Sequence, residues 1–205
     1  MSTASSQELN RAVIADRAST IRRSLNGRSI ILVGIMGVGK STIGKRLSQF
    51  LDIPFVDADK EIERAAGMSV EDIFDQFGEE AFRSGEKKVI RRLLDEGQKI
   101  LATGGGAFMN EDTRQEIQDG GVSVWLKADL DVLMKRVQRR SDRPLLKTED
   151  PEATMKALLD ERNPVYALAD LEVESRTVSR DVIASEVIDM LADVLPDLAE
   201  ERGWK

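Results

Sequence analysis

Short apolar runs alternate along this chain with longer stretches whose apolar residues recur every three or four positions. The run "SIILVG" (29–34) is β-branched and uninterrupted, the signature of a buried strand, and "KSTIGKRLSQFL" (40–51) behind it has the spacing of an amphipathic helix. "IPFVDAD" (53–59) reads as a second strand ending in acids, and "KILATGGG" (99–106) as a third running into glycines. "VSVWLKA" (122–128) and "DLEVES" (170–175) complete the set. Between them, 70–97 predicts a long helix broken near Gly78, 129–140 another, with a helix through Leu158 and a last one near 180–194. The polar, aperiodic "SDRPLLKTEDPEAT" (141–154) predicts a mobile loop. Strands separated by helices predict an α/β fold, a parallel sheet covered by helices on both faces. In such sheets ligands gather at the carboxyl ends of the strands.

Residues 1–28 read differently. They are rich in Ser and Arg, with Leu9, Val13, Ile14, Ile21 and Leu25 at roughly helical spacing. Glu8 and Asp16 argue against a transit peptide, which is poor in acids, and the segment has no long apolar core for secretion. It is taken as an N-terminal extension without a role in chemistry, leaving 29–205 as one domain.

Composition narrows the chemistry. Apolar residues make up 41% and charged residues 33% of the chain, ordinary for a soluble globular protein. No apolar run approaches the ~20 residues that span a bilayer. There is no cysteine and no histidine, so disulfides, thiolate metal sites and the commonest general base are all excluded. Catalysis has to run on carboxylates, lysine, arginine, hydroxyls, backbone amides and bound ions. A net charge of −7 argues against nonspecific nucleic-acid binding, so anionic ligands bind only where arginines are locally concentrated.

"GIMGVGKS" supplies G-x-x-x-x-G-K-[ST] at Gly34, Gly39, Lys40 and Ser41, between a strand and a helix. That context turns the N–H groups of Gly37, Val38, Gly39, Lys40, Ser41 and Thr42 around phosphate oxygens at a helix N-terminus. Lys40 reaches the β- and γ-phosphates and the Ser41 hydroxyl serves Mg²⁺. The expectation is a nucleoside triphosphate site. Asp57 and Asp59, closing the strand, are expected to point to opposite sides, so that one faces a metal and the other a second substrate, with helix capping by Asp59 compatible with that use. "TGGGA" (103–107) suggests close backbone approach to a ligand. No Walker-B aspartate follows the apolar run there, so Asp57 has to supply the magnesium-side carboxylate. Arg83, Arg143 and Arg162 lie near predicted loops or helix ends, where guanidinium groups could converge on a carboxylate.

The motifs "GIMGVGKST", "FVDADKEIE", "IFDQFGEEAFRSGE", "ATGGGAF", "RPLL" and "ERNPVYALAD" occur in an order and spacing that resembles shikimate kinases, over about residues 29–194. The resemblance implies a three-layer α/β/α P-loop kinase fold, about five parallel strands plus a lid. It implies transfer of the ATP γ-phosphate to the 3-hydroxyl of shikimate, with one Mg²⁺ per subunit, by a cytoplasmic monomer with no nucleic-acid or membrane partner. It assigns the shikimate carboxylate to Arg83 and Arg162, the ring hydroxyls to Asp59 and the backbone of Gly104, Gly105 and Gly106, and proton handling to Asp59. Phe74 and Phe82 would line the pocket, Glu86 would position an arginine, and Ser41 with Asp57 would hold the metal. Arg136 corresponds to the adenine-packing arginine and Arg143 to one carried over the phosphates by a lid at 141–154. The substrate-binding region is expected at about 57–97. Gluconate or nucleoside-monophosphate kinases on the same core, or a nucleotide switch, are the rival readings. The chain has no N-K-x-D guanine-reading motif.

Overall fold

Five strands form the centre of the molecule: β1 (Ser29–Val33), β2 (Phe55–Asp57), β3 (Ile100–Ala102), β4 (Gly121–Lys127) and β5 (Leu171–Glu174). They lie in the order β2-β3-β1-β4-β5 and all pair in parallel. The computed structural model describes residues 2–138 and 148–204, with side chains from Val13 onward. Every residue of β1 is buried. A strand covered on both faces has no polar side, which is why "SIILV" reads as one continuous apolar run. In register, Ile31 sits opposite Leu101 on one side and Ser123 on the other.

Helices α1 (Ser2–Leu25), α2 (Lys40–Leu51), α3 (Ala58–Ala66), α4 (Val70–Asp95), α5 (Glu111–Gly120), α6 (Leu130–Val137), α7 (Pro151–Tyr166) and α8 (Arg180–Glu201) surround the sheet. The chain steps outward from β1 to β2, returns between them as β3, then crosses to the other side of β1 as β4. Loops leaving the neighbouring strands β1 and β3 therefore face each other at the carboxyl edge, the arrangement that opens a ligand crevice.

Helix α2 follows its expected limits, and α4 breaks at Gly78 (φ 80°, ψ 172°) as its sequence suggests. Other boundaries differ. The second strand stops at Asp57, and Ala58 already opens α3. Residues 151–154, expected in a loop, form the first turn of α7, which starts with Pro151 and is capped by Asp150 accepting from the Ala153 N–H. The rest of the lid expected at 141–154, apart from 148–150, lies outside the described residues, as does Arg143. Helix α8 continues through Pro196 to Glu201 because Leu195 and Ala199 are still buried there. Helix α5 escaped notice because it buries only Thr113 and Ile117, too few positions to set a period.

A small apolar cluster of Ile62, Ile73 and Phe82, with Phe74 against it, joins α3 to α4, separate from the main core around the sheet. Among the described residues no helix is long and apolar enough to cross a membrane.

The N-terminal segment is a continuous helix whose Ala18, Ile21 and Leu25 enter the main core. Arg17 pairs with Asp189 at 3.3 Å and Asp193 at 3.4 Å on α8. Arg22 Nη1 donates to the Leu51 carbonyl at 2.7 Å, satisfying an end group of α2. Arg28 lies over the Trp204 ring, 4.9 Å from its centroid. Because Ile21 is fully buried, Ile21→Ala should lower the unfolding free energy by ~2–5 kcal/mol in denaturant titrations. A loss below ~0.5 kcal/mol, typical of surface changes, would show that α1 is dispensable to the core.

Candidate active site

The phosphate loop follows β1 directly. Gly34 has φ 131°, and a Cβ there would come 2.5 Å from the Leu126 carbonyl oxygen, so only glycine lets the loop pass β4. Gly39, at φ 109°, precedes α2, and among the described residues no side chain caps that helix. The Thr42 N–H returns to the Gly39 carbonyl at 3.0 Å, and the positive end of the α2 dipole favours an anion at this helix start. Lys40 is buried and folds back across the loop, donating to the carbonyls of Gly34 at 2.6 Å and Ile35 at 3.0 Å.

The loop is braced from behind. The Val38 carbonyl accepts from Ser175 Oγ at 2.7 Å and Arg136 Nη1 at 2.9 Å. Arg136 also donates to Ser175 Oγ at 2.9 Å and the Arg176 carbonyl at 3.0 Å. Burial lowers its pKa from the ordinary arginine value. The resemblance implies that Arg136 packs on adenine; in the structure its donors also engage protein atoms that hold the phosphate loop. Ser175 carried no signal in the sequence, because its partners lie on β1's loop and on α6.

Ser41 Oγ donates to Asp57 Oδ2 at 2.7 Å. A hydroxyl and a carboxylate at the head of α2 suit a magnesium ion, which binds through one or two protein oxygens and keeps its waters and phosphate ligands. Among the described residues no cluster of three or more His, Cys, Asp or Glu forms an all-protein metal cage.

Helix α3 separates the two acids. Asp57 is its N-cap residue and turns toward Ser41, whereas Asp59 lies in its first turn. Asp59 is therefore not the cap. Two residues apart on a strand share a face; the switch to helix after Asp57 is what gives the acids different partners. A Cβ on Gly104 would come 2.8 Å from Asp59 Oδ1 and 2.6 Å from Glu86 Oε1, so both carboxylates reach this glycine.

Arg83 closes the other side. It pairs with Glu86 at 2.6 Å and Glu79 at 3.2 Å, and its guanidinium lies 5.1 Å from the Phe82 centroid and 5.9 Å from that of Phe74. A Cβ on Gly106 would run into the same guanidinium. Arg162 lies one turn before Tyr166 on α7, and Arg162, Arg83 and Glu86 all act on the Tyr166 hydroxyl electrostatically. The two distant arginines thus converge near one tyrosine. Gly105 lies against the phosphate loop itself, where its Cβ would be 3.3 Å from the Met36 amide nitrogen and 3.8 Å from the Gly34 carbonyl oxygen.

Among the described residues, Glu86 Oε1 and Arg162 Nε are buried without a hydrogen-bond partner. Buried polar atoms are rarely left so. One is an acceptor and one a donor.

The family model described as "Shikimate kinase" matches residues 36–192. The chain belongs to the shikimate kinase family. It is 58% identical to a shikimate kinase of Bradyrhizobium diazoefficiens over 177 residues, covering 86% of each chain. To one of Brucella canis it is 52% identical over 176 residues, 86% of this chain and 88% of the relative. The solved shikimate kinase from Acinetobacter baumannii, in complex with shikimate, superposes with a TM-score of 0.80 at 33% identity, over 84% of this chain and 97% of that one. The three-layer fold with five parallel strands is that of the family.

Within this family member, opposing influences meet at Glu86. It is 2% exposed, and burial, aided by Asp59 and Glu79, pushes its pKa above the usual carboxylate range although Arg83 pulls the other way. For Arg83 burial works against the charge, but Glu86 and Glu79 outweigh it and raise its pKa.

Glu86 therefore holds its proton more tightly when folded than when unfolded. The stability this contributes is complete below the unfolded value of ~4.3 and is lost as pH rises through the raised folded value. Glu86→Gln cannot titrate, so its stability should fall less than wild type's as pH rises from ~4 to ~7. Denaturant midpoints across that range measure it; parallel profiles would mean that Glu86 titrates alike in the folded and unfolded chain. Gly106→Ala should push the Arg83 side chain aside and raise the KM for a carboxylate acceptor by about tenfold or more while leaving nucleotide affinity intact, as steady-state kinetics would show.

Proposed function

We propose that this protein transfers the γ-phosphate of ATP to the 3-hydroxyl of shikimate, giving shikimate 3-phosphate and ADP for chorismate and aromatic amino acid synthesis. The observation that carries the reading is the pair of buried unpartnered atoms, Arg162 Nε and Glu86 Oε1, beside a glycine run that backs onto the phosphate loop. A hydroxylated carboxylic acid offers an acceptor for the first and donors for the second.

In this reading Arg83 and Arg162 hold the acceptor's carboxylate. Phe74 and Phe82 brace Arg83 and line the apolar side of the ring, and Glu86 orients Arg83. Asp59 and the Gly104–Gly106 backbone hold the ring hydroxyls. The 3-hydroxyl oxygen attacks the γ-phosphorus, the bond from phosphorus to the β–γ bridging oxygen breaks, and the hydroxyl proton passes to Asp59. The bridging oxygen leaves with its electron pair on ADP. Gly37, Val38, Gly39, Ser41 and Thr42 cradle the phosphates while Lys40 and Arg143 neutralise charge on the transferring group.

Ser41 and Asp57 would hold one Mg²⁺ per subunit. When bound, that ion supplies charge neutralisation across the β- and γ-phosphates. Arg136 packs at the adenine end. A lid ahead of α7 would exclude water and so suppress ATP hydrolysis. The first 28 residues precede the catalytic domain without contributing to it chemically. The enzyme works as a cytoplasmic monomer, with no nucleic-acid or membrane partner.

The test is ADP release with ATP and Mg²⁺ in the presence of shikimate, gluconate, a nucleoside monophosphate or no acceptor. Release should require shikimate, and Asp59→Asn should lose at least ~10²-fold in kcat while still binding ATP. Stimulation by another acceptor would keep the kinase and overturn the acceptor assignment. Undiminished turnover in Asp59→Asn would remove its proton-handling role.

A further inference from the structure

The glycine run has no side chains with which to hold itself, yet its backbone has to stay in one conformation to receive a ligand. The structure supplies outside supports. Thr103 Oγ1 donates to the Leu32 carbonyl at 3.1 Å, and Arg114 Nη1 donates to the carbonyls of Phe108 and Met109 at 2.9 Å each. Between these two anchors the Gly105 carbonyl accepts from the hydroxyl of Tyr166.

Tyr166 ends α7 and is fully buried. Its ring stacks with Phe108, 6.4 Å between centroids, and with Trp125 on β4 at 5.9 Å. Its hydroxyl donates to the Gly105 carbonyl and feels the charge of Arg162, one helical turn earlier. Burial pushes the hydroxyl up to about 12, so it keeps its proton, and its donor role, at neutral pH.

We propose that Tyr166 is a positioning residue that sets the Gly105–Gly106 peptide and the Arg162 guanidinium together for the acceptor. The proposal rests on the acceptor site described above. A peptide unit is planar and trans, so holding the Gly105 carbonyl toward α7 turns the Gly106 N–H to the opposite side, away from α7. Without the hydroxyl this peptide is free to rotate, and Arg162 loses the oxygen that orients it. Gly105 also abuts the phosphate loop at Met36, so one hydroxyl registers the acceptor side against the nucleotide side.

Tyr166→Phe keeps both ring stacks and removes only the hydroxyl. It should raise the KM for shikimate about tenfold, the equivalent of one or two hydrogen bonds, with the KM for ATP changed by less than about twofold. Amide hydrogen exchange, read on the free protein, should quicken over 103–109 and not across the sheet.

Met155→Ala serves as a structural control, because Met155 is fully buried on the same helix about three turns before Tyr166. It should lower the melting temperature without moving the shikimate KM. The proposal fails if Tyr166→Phe leaves both the shikimate KM and the exchange unchanged, or if Met155→Ala raises that KM as much. If wild type ignores shikimate and uses another acceptor, the acceptor assignment falls separately. The exchange comparison and the KM for the active acceptor then still decide the role of Tyr166.

Discussion

Gly105 lies so near the phosphate loop that even a Cβ there would crowd the backbone at Met36, and the site depends on that close approach. The two loops leave neighbouring parallel strands, β3 and β1, at the same edge of the sheet. A side chain at 105 would have to fit 3.3 Å from the Met36 amide nitrogen, tighter than most real contacts, so the close approach favours glycine. Phosphoryl transfer needs donor and acceptor held in line at short range, and the protein's main task is that positioning. The sheet order turns two remote motifs into facing walls.

The polar groups around this contact are arranged with unusual economy for a chain of net charge −7. Glu86 is buried at an electrostatic cost that Arg83 only partly offsets. That cost is borne where a carboxylate must hold a guanidinium in place over two aromatic rings. Strain of this kind gathers at functional sites because the surrounding core over-determines it. The α3–α4 cluster of Ile62, Ile73 and Phe82 supplies that support.

The phosphate loop and α2 were legible because every determinant is local: strand, glycines, lysine and helix follow one another without a gap. The roles of Asp57 and Asp59 were only half legible. Their identities are evident, but their divergence depends on a helix that begins between them, a boundary that apolar spacing does not mark. The packing of α1 was hinted at by Ile21 and Leu25, whose spacing reads equally well as a detached amphipathic helix. What seats it is contact with α8 at the far end of the chain.

Sequence by itself determined the family, the fold class and the residue types available for catalysis, because motif order and the absence of histidine and cysteine are properties of the string. Tertiary structure decided which groups meet. It joined Tyr166 to Gly105, drew Ser175 and Arg136 behind Val38, and left Glu86 Oε1 and Arg162 Nε buried and unpaired among the described residues. Hydrogen bonds between residues tens of positions apart leave no periodicity in the chain, since each partner is chosen by the direction of a strand end or helix end and not by its neighbours in sequence.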